Sequence, residues 1–369
     1  MGCPENPGSP YYLEIQPPPM PRKAPAILFP EANRAIIDEV PVAEPGDGDV
    51  LVQIEYSSVS VGTERWCLTG RLDVPGEAPL AFPHVPGYQA SGVVLETGRG
   101  VQSLKPGDRV FSRNCRAPVG GWRGTWWGGH VGLHVAEEAA VIRLPPGVSL
   151  PEASGLLLAQ VGYNGATKPP VAAGVKAGIH AGLRPGVTAG TVAAVIGDGL
   201  VGQYAGQVLR HRGARVLLSG LQPLRLELAA KHSADEVFDA SGGDFTAFVR
   251  ERFPKGVAVA VEAASSRRTV RQAISLLAYG GHLVLNGFYP PPESLLDWHW
   301  LRTKELTAHF PNSRTRERLE STLRLIEQGA VRVEELVTHT APLAEAPGLY
   351  EKLLGSEADF LGLVIQWRT

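Results

Sequence analysis

The sequence is short of cysteine. It has three in 369 residues, Cys3, Cys67 and Cys115, widely spaced and with no C-x-x-C pair. That excludes a disulfide framework and a cysteine-rich zinc site, and it fits a reducing cytoplasm. Charge of either sign is not in excess: 35 Lys and Arg face 37 Asp and Glu, for a net charge of −2. Such a surface offers no polyelectrolyte footprint for nucleic acid and no basic cluster for a membrane. No apolar run approaches the roughly 20 residues that a bilayer span needs. A basic stretch followed by an apolar core, as in a secretory leader, is also absent from the first residues. Met1-Gly2-Cys3 opens like a myristoylation signal, but Asn6 stands where that signal needs Ser or Thr. With these classes set aside, a small molecule is the expected partner.

What is present is an ordinary globular composition, 44% hydrophobic and 20% charged, in a chain longer than one core usually supports. Two domains are expected. Residues 1–22 hold seven prolines without periodicity and read as an extended N-terminal arm. Short strands then alternate with turn residues: Asp49 to Ser60, Ala90 to Glu96, Arg109 to Ser112 and Ala139 to Leu144, punctuated by Pro45-Gly46-Asp47-Gly48 and Lys105-Pro106-Gly107-Asp108. This is an all-β region of barrel or sandwich type. A helix is expected from Pro151 to Val161, followed by a Gly/Pro/Ala-rich connection from Gly162 to Gly190.

The pattern then changes to strands alternating with helices, which predicts a doubly wound parallel sheet. The strands are Thr191 to Ile196, Ala214 to Leu218, Glu236 to Asp239, Val257 to Glu262 and His282 to Asn286. Between them lie helices Gln203 to His211, Pro223 to His232, Asp244 to Arg252 and Arg267 to Leu277. Two more helices, Arg314 to Gln328 and Leu343 to Leu354, precede a last strand, Gly362 to Gln366, expected to return to the β region.

The first strand of this half runs into Gly197-Asp198-Gly199-Leu200-Val201-Gly202. Gly197 permits a tight turn, Gly199 clears the approach of a pyrophosphate to the backbone, and Gly202 lets the helix lie close to the strand. Phosphates would meet the N–H groups of Leu200 and Val201 at the positive end of the helix. The second strand ends Leu217-Leu218-Ser219-Gly220-Leu221 with no acid before Glu227, and Arg225 opens the next helix. NADP(H) is therefore favoured over NAD(H), with Ser219 and Arg225 as contacts of the 2′-phosphate. Asn286 and Gly287 are expected on the nicotinamide side.

The order of landmarks resembles the medium-chain dehydrogenase/reductase superfamily over about residues 24–369. They are Val61-Gly62-Thr63-Glu64, Pro86-Gly87-Tyr88-Gln89, Pro106-Gly107-Asp108-Arg109-Val110, Gly128-Gly129, Leu144-Pro145-Pro146-Gly147 and GDGLVG. Ser-Val-Gly-Thr-Glu, Val-Pro-Gly-Tyr, Asn114-Cys115 and Gly287-Phe288-Tyr289 are most similar to the branch of bacteriochlorophyllide hydroxyethyl dehydrogenases. The resemblance implies an α/β protein with a GroES-like β-barrel catalytic domain, residues 23–160 and 330–369, and a Rossmann domain, 161–329. It also implies homodimerisation.

Zinc members of the superfamily ligate their catalytic metal where this chain has Val61, Tyr88-Gln89 and Leu158 or Gln160, and their structural zinc loop is reduced here to Cys115. Valine and leucine cannot ligate, so no zinc is expected. His130 and His134 read as ordinary surface or hydrogen-bonded histidines rather than as replacement ligands. The resemblance places Thr63 at the proton relay and Tyr88 and Gln89 in the cleft as donors for the developing charge; Glu64 reads as structural rather than as a general base. Trp122, Trp126 and Trp127, in a segment rich in glycine, and Tyr289 are expected to wall the substrate pocket. Trp298 and Trp300 fit either that wall or a subunit interface. The expected activity is hydride transfer to or from a carbonyl or alcohol, with reduction of an activated C=C or C=N bond, or nucleotide binding without turnover, as alternatives.

Overall fold

The computed structural model describes residues 22–72, 80–113, 115, 128–167, 191–289, 298–355 and 360–368. The described residues open with an antiparallel hairpin, β1 (Arg22–Leu28) and β2 (Ile36–Val42). Next come β3 (Asp49–Val59), a short helix α1 (Val61–Leu68), β4 (Ala90–Thr97), β5 (Arg109–Ser112), β6 (Leu133–Glu137) and β7 (Val141–Arg143). Helices α2 (Leu150–Ser154) and α3 (Leu156–Thr167) lead out of this region. The single helix expected from Pro151 to Val161 is thus two, broken at Gly155, and the second runs further than the sequence suggested. Ser149 starts α2 with a reciprocal cap, its hydroxyl accepting from Glu152 N while the Glu152 carboxylate accepts from Ser149 N.

The second half alternates as expected: β8 (Val192–Ile196), α4 (Leu200–His211), β9 (Arg215–Gly220), α5 (Pro223–His232), β10 (Glu236–Asp239), α6 (Phe245–Arg252), β11 (Val257–Glu262), α7 (Arg267–Leu276) and β12 (Leu277–Leu285). Then follow α8 (Trp298–Arg302), β13 (Thr307–His309), α9 (Arg316–Glu327), β14 (Val337–Pro342), α10 (Ala346–Gly355) and β15 (Gly362–Gln366).

Two larger sheets organise these elements. In the first, β15 pairs antiparallel with β3, bringing the C-terminal strand back to the N-terminal half, and β14 pairs parallel with β15. The path continues β3-β4-β5-β7, with β6 also on β3. The second sheet is parallel throughout, in the order β10-β9-β8-β11-β12-β13. Numbered within that sheet the order is 3-2-1-4-5-6, the doubly wound arrangement whose crevice opens at the carboxyl ends of β8 and β11.

One apolar core runs from the first sheet into the second half. Phe111 and Ile142 join Leu156 and Tyr163 of α3, Tyr204 and Val208 of α4, and Leu319 and Leu323 of α9. Gly162 is what lets α3 lie against α4, since a Cβ there would stand 2.6 Å from the Tyr204 side chain. The buried α3 therefore fixes the glycine turn relative to the β region.

Candidate active site

The turn after β8 is built for close approach. Gly197 holds φ at +118°, and a Cβ on Gly202 would lie 2.1 Å from the Gly197 carbonyl oxygen. Gly199 is the N-cap of α4, with no side-chain cap and nothing within 4 Å of where its Cβ would be. The half-buried Leu200 and Val201 begin the helix. An open, uncapped helix start above glycine fits the pyrophosphate of a dinucleotide.

The neighbouring strand end departs from expectation. Arg225 does not reach toward this cradle: its Nε and Nη2 donate to Phe360 O at 2.9 and 2.6 Å, and Nη1 lies 3.8 Å from Asp198 Oδ1. Ser219 is buried in β9, its carbonyl accepting from Gly197 N at 2.9 Å. Instead, the carboxylate of Asp198 bends across from the glycine turn and accepts from Leu221 N and Gln222 N at 2.8 and 2.9 Å. The reading of Arg225 as a phosphate contact is corrected accordingly, because Nε and Nη2 are held by the Phe360 carbonyl before β15 and Nη1 faces Asp198. Asp198 is not legible from the β9 sequence, because its carboxylate reaches the strand end from another loop.

At the turn after β12, where the nicotinamide side is expected, Asn286 N donates to Glu262 O, while the Asn286 amide donates to Val161 O of α3 at 3.1 Å. Gly287 is required by crowding, since its Cβ would meet Ser265 Oγ at 2.6 Å. Tyr289 donates its hydroxyl to the buried Glu262 carboxylate, which also accepts from Thr269 Oγ1 at 2.7 Å and Ala264 N at 2.9 Å. Burial raises the Glu262 pKa, with these donors opposing the rise. Tyr289, expected as pocket wall, thus ties its turn to β11. Trp122, Trp126 and Trp127 lie outside the described residues. Trp66 of α1, a site residue with no signal in the sequence, packs its ring 5.3 Å from that of Phe288 and so joins the β region to the turn after β12.

The first turn of α1 carries Thr63, half-buried, and Glu64, fully buried. Glu64 Oε1 accepts from Ser60 N at 2.8 Å, and Oε2 accepts from His130 Nε2 at 3.0 Å and Tyr350 Oη at 2.5 Å. The other ring nitrogen of His130 lies 2.8 Å from Ser57 Oγ, which also accepts from Trp367 Nε1 at 2.8 Å. These distances support the structural reading of Glu64. His130 in turn seats the Pro86-to-Tyr88 segment: Gly87 has φ +82°, and a Cβ on it would stand 2.5 Å from the imidazole. Gly129 N donates to Gly87 O at 3.0 Å.

On this seat Tyr88 hydrogen-bonds the Ser60 hydroxyl, and burial raises its pKa, so the phenol stays protonated as a donor. Gln89 turns to the backbone instead. Its Oε1 accepts from Leu157 N at 3.0 Å and Leu158 N at 3.2 Å, and its Nε2 donates to Ser58 O at 3.4 Å. The structure therefore corrects its role from donor in the cleft to tether of the start of α3.

The donor set at the zinc position does not fit the metal. Val61 and Leu158 offer alkyl groups, Tyr88 a protonated phenol, and Gln160 an amide whose Nε2 donates to Ser313 O at 2.8 Å. His134 is buried and bonded to Ser112 Oγ and Gly129 O, both at 3.1 Å. Among the described residues no three or more His, Cys, Asp or Glu form a metal-binding group.

A parallel sheet with a glycine cradle at its switch point, packed through α3 on a largely antiparallel β unit, is the architecture of a dinucleotide-binding protein. Residues 46–146 match the model of the alcohol dehydrogenase GroES-like domain, and 201–328 that of the zinc-binding dehydrogenase. The chain is 30% identical over 305 residues to an alcohol dehydrogenase of Rhizobium meliloti, covering 80% of this chain and 86% of the relative. It is 29% identical over 349 residues to the 2-desacetyl-2-hydroxyethyl bacteriochlorophyllide A dehydrogenase of Cereibacter sphaeroides, covering 90% and 94%. A zinc-binding dehydrogenase of Sinorhizobium meliloti, solved bound to NADP, superposes with a TM-score of 0.77 at 21% identity over 94% of this chain and all of that one. The chain belongs to the medium-chain dehydrogenase/reductase superfamily.

Proposed function

We propose that this chain is a zinc-independent oxidoreductase acting on a C=O/CHOH pair in an apolar or planar substrate. The observation that carries the reading is the Tyr88 phenol, bonded to Ser60, the residue one helical turn before Thr63, at the position where the family resemblance implies a zinc ligand. When bound, the nicotinamide supplies or accepts the hydride. The substrate oxygen gains negative charge as hydride arrives, and hydroxyl donors held in place stabilise it. Tyr88 supplies the first hydrogen bond and Ser60 restrains its orientation; Thr63 carries the proton between substrate and solvent. The two-domain division at residues 160 and 330 belongs to this reading. So does a homodimer, supported by the short β13 at the sheet edge beside the 58%-exposed Phe310.

Purified protein is expected to carry less than about a tenth of an equivalent of zinc, to oxidise a reduced nicotinamide with ketone substrates, and to lose about 10²-fold or more in kcat in Tyr88→Phe and Thr63→Val. Stoichiometric zinc would overturn the metal-free reading. Turnover only with enones or imines would move the activity to C=C or C=N reduction, which needs no Lewis acid, and nucleotide binding with no turnover would overturn the enzyme reading.

A further inference from the structure

The geometry points to Asp198, inside the glycine turn, as the residue that selects NAD(H) over NADP(H). This rests on the dinucleotide reading above and names the cofactor of the same site. The adenosine ribose of a dinucleotide on such a sheet lies at the end of the second strand, where an acid accepts from the 2′-hydroxyl or, in its absence, donors take the 2′-phosphate. Here β9 ends at Gly220 with no acid of its own, yet a carboxylate stands there. Asp198 Oδ2 accepts from both Leu221 N and Gln222 N, the two backbone donors of the turn that follows β9.

Gly220 makes the crossing possible. A Cβ at that position would lie 2.4 Å from both Cβ and Oδ2 of Asp198, so any side chain would push the carboxylate out of the turn. The nearest cation does not offer a phosphate a substitute. Arg225 holds Phe360 O with two of its nitrogens, and its Nη1 approaches Asp198 Oδ1 only to 3.8 Å. Both side chains are nearly buried, at 11% and 12% exposure, so neither swings freely into solvent. A 2′-phosphate brought here meets a carboxylate of like sign in a poorly hydrated setting and finds both N–H donors already taken. A ribose 2′-hydroxyl instead donates to Oδ1, which no hydrogen bond occupies among the described residues.

The test is equilibrium titration of the full chain with NADH and NADPH, followed by nucleotide fluorescence, for wild type and Asp198→Asn. The amide oxygen of Asn still accepts from Leu221 N and Gln222 N, so the variant removes the charge and keeps the turn. Wild type is expected to bind NADH about tenfold or more tightly than NADPH, and Asp198→Asn to narrow that ratio about fivefold or more, through tighter NADPH binding. Wild type that binds NADPH as tightly as NADH overturns the inference. So does an Asp198→Asn protein with wild-type NADH affinity and an unchanged ratio. Should that variant not fold, the wild-type ratio decides alone, supported by competition with adenosine 5′-monophosphate and adenosine 2′,5′-bisphosphate. Failure of both nucleotides to bind wild type overturns the dinucleotide reading itself, a different result from binding with the opposite preference.

Discussion

Glu64 shows how far a single side chain can organise a region that its own sequence neighbourhood does not explain. Its carboxylate is fully buried and takes donors from Ser60, His130 and Tyr350, the last two 66 and 286 positions away. Removing one partner of such a group leaves the other buried with unmet hydrogen bonds, which costs more than the bond itself contributed. His130→Ala is therefore expected to lower unfolding free energy by about 3 kcal/mol or more, and Tyr350→Phe by about 1 to 3 kcal/mol, read as shifts of the urea midpoint. A midpoint unchanged in His130→Ala would mean that the network does not hold the Tyr88 segment. None of this was legible beyond the bare expectation that Glu64 is structural, because partners so distant in the chain are set only by tertiary packing. Arg225 follows the same rule: its helix position suggests a phosphate contact, whereas Phe360 O, 135 residues on, holds the guanidinium.

At the scale of elements, the joint between the two sheets is α3, and Gln89 holds its start. The two backbone N–H groups of Leu157 and Leu158 are among those that a helix leaves unpaired at its beginning, and a buried amide oxygen satisfies both. Gln89→Leu would strip those donors inside the core and is expected to cost about 1 to 3 kcal/mol of stability, seen as a lowered melting temperature in the absence of substrate. A variant with wild-type melting and a collapsed kcat would return Gln89 to the reacting centre. Element by element, the second half was the more legible, since alternating apolar runs and amphipathic helices specify a parallel sheet almost by themselves. β2, with Asp38-Glu39 in its middle and Pro41 near its end, carries no strand alternation, and β1 is interrupted by Pro25. Those two strands were missed. So was α1, whose Val-Gly-Thr start reads as a turn after a strand; its helix is fixed by the bond from Ser60 N to Glu64.

The buried histidines of the β region give the whole molecule a pH dependence with a definite sign. Burial lowers the pKa of His134 to about 4, its bond to Gly129 O opposing the shift and His130 adding to it; burial likewise lowers that of His84 to about 4, where the ring packs among Phe29 and Phe82. A histidine held neutral in the fold but free to protonate when unfolded, near pH 6.5, binds more protons in the unfolded state between those two values. Each therefore withdraws stability as pH falls from about 7 toward 4, by up to about 1.4 kcal/mol per pH unit, and leaves it unaffected above pH 7. Glu262 and Glu152, whose carboxyls burial raises, act in the opposite direction, because their protonation relieves a buried charge as the solution acidifies. Their pull begins near the ordinary carboxylate range, so the histidines dominate between pH 7 and about 5. Urea midpoints are expected to fall across that interval, and His134→Gln, whose Nε2 still reaches toward Gly129 O, to flatten the decline by about half. A wild-type midpoint constant from pH 7 to 5 would mean that these rings are already open to water or protonated in the fold. The neutral cores around Ser112 and Phe29 would then be less tightly sealed than their packing implies.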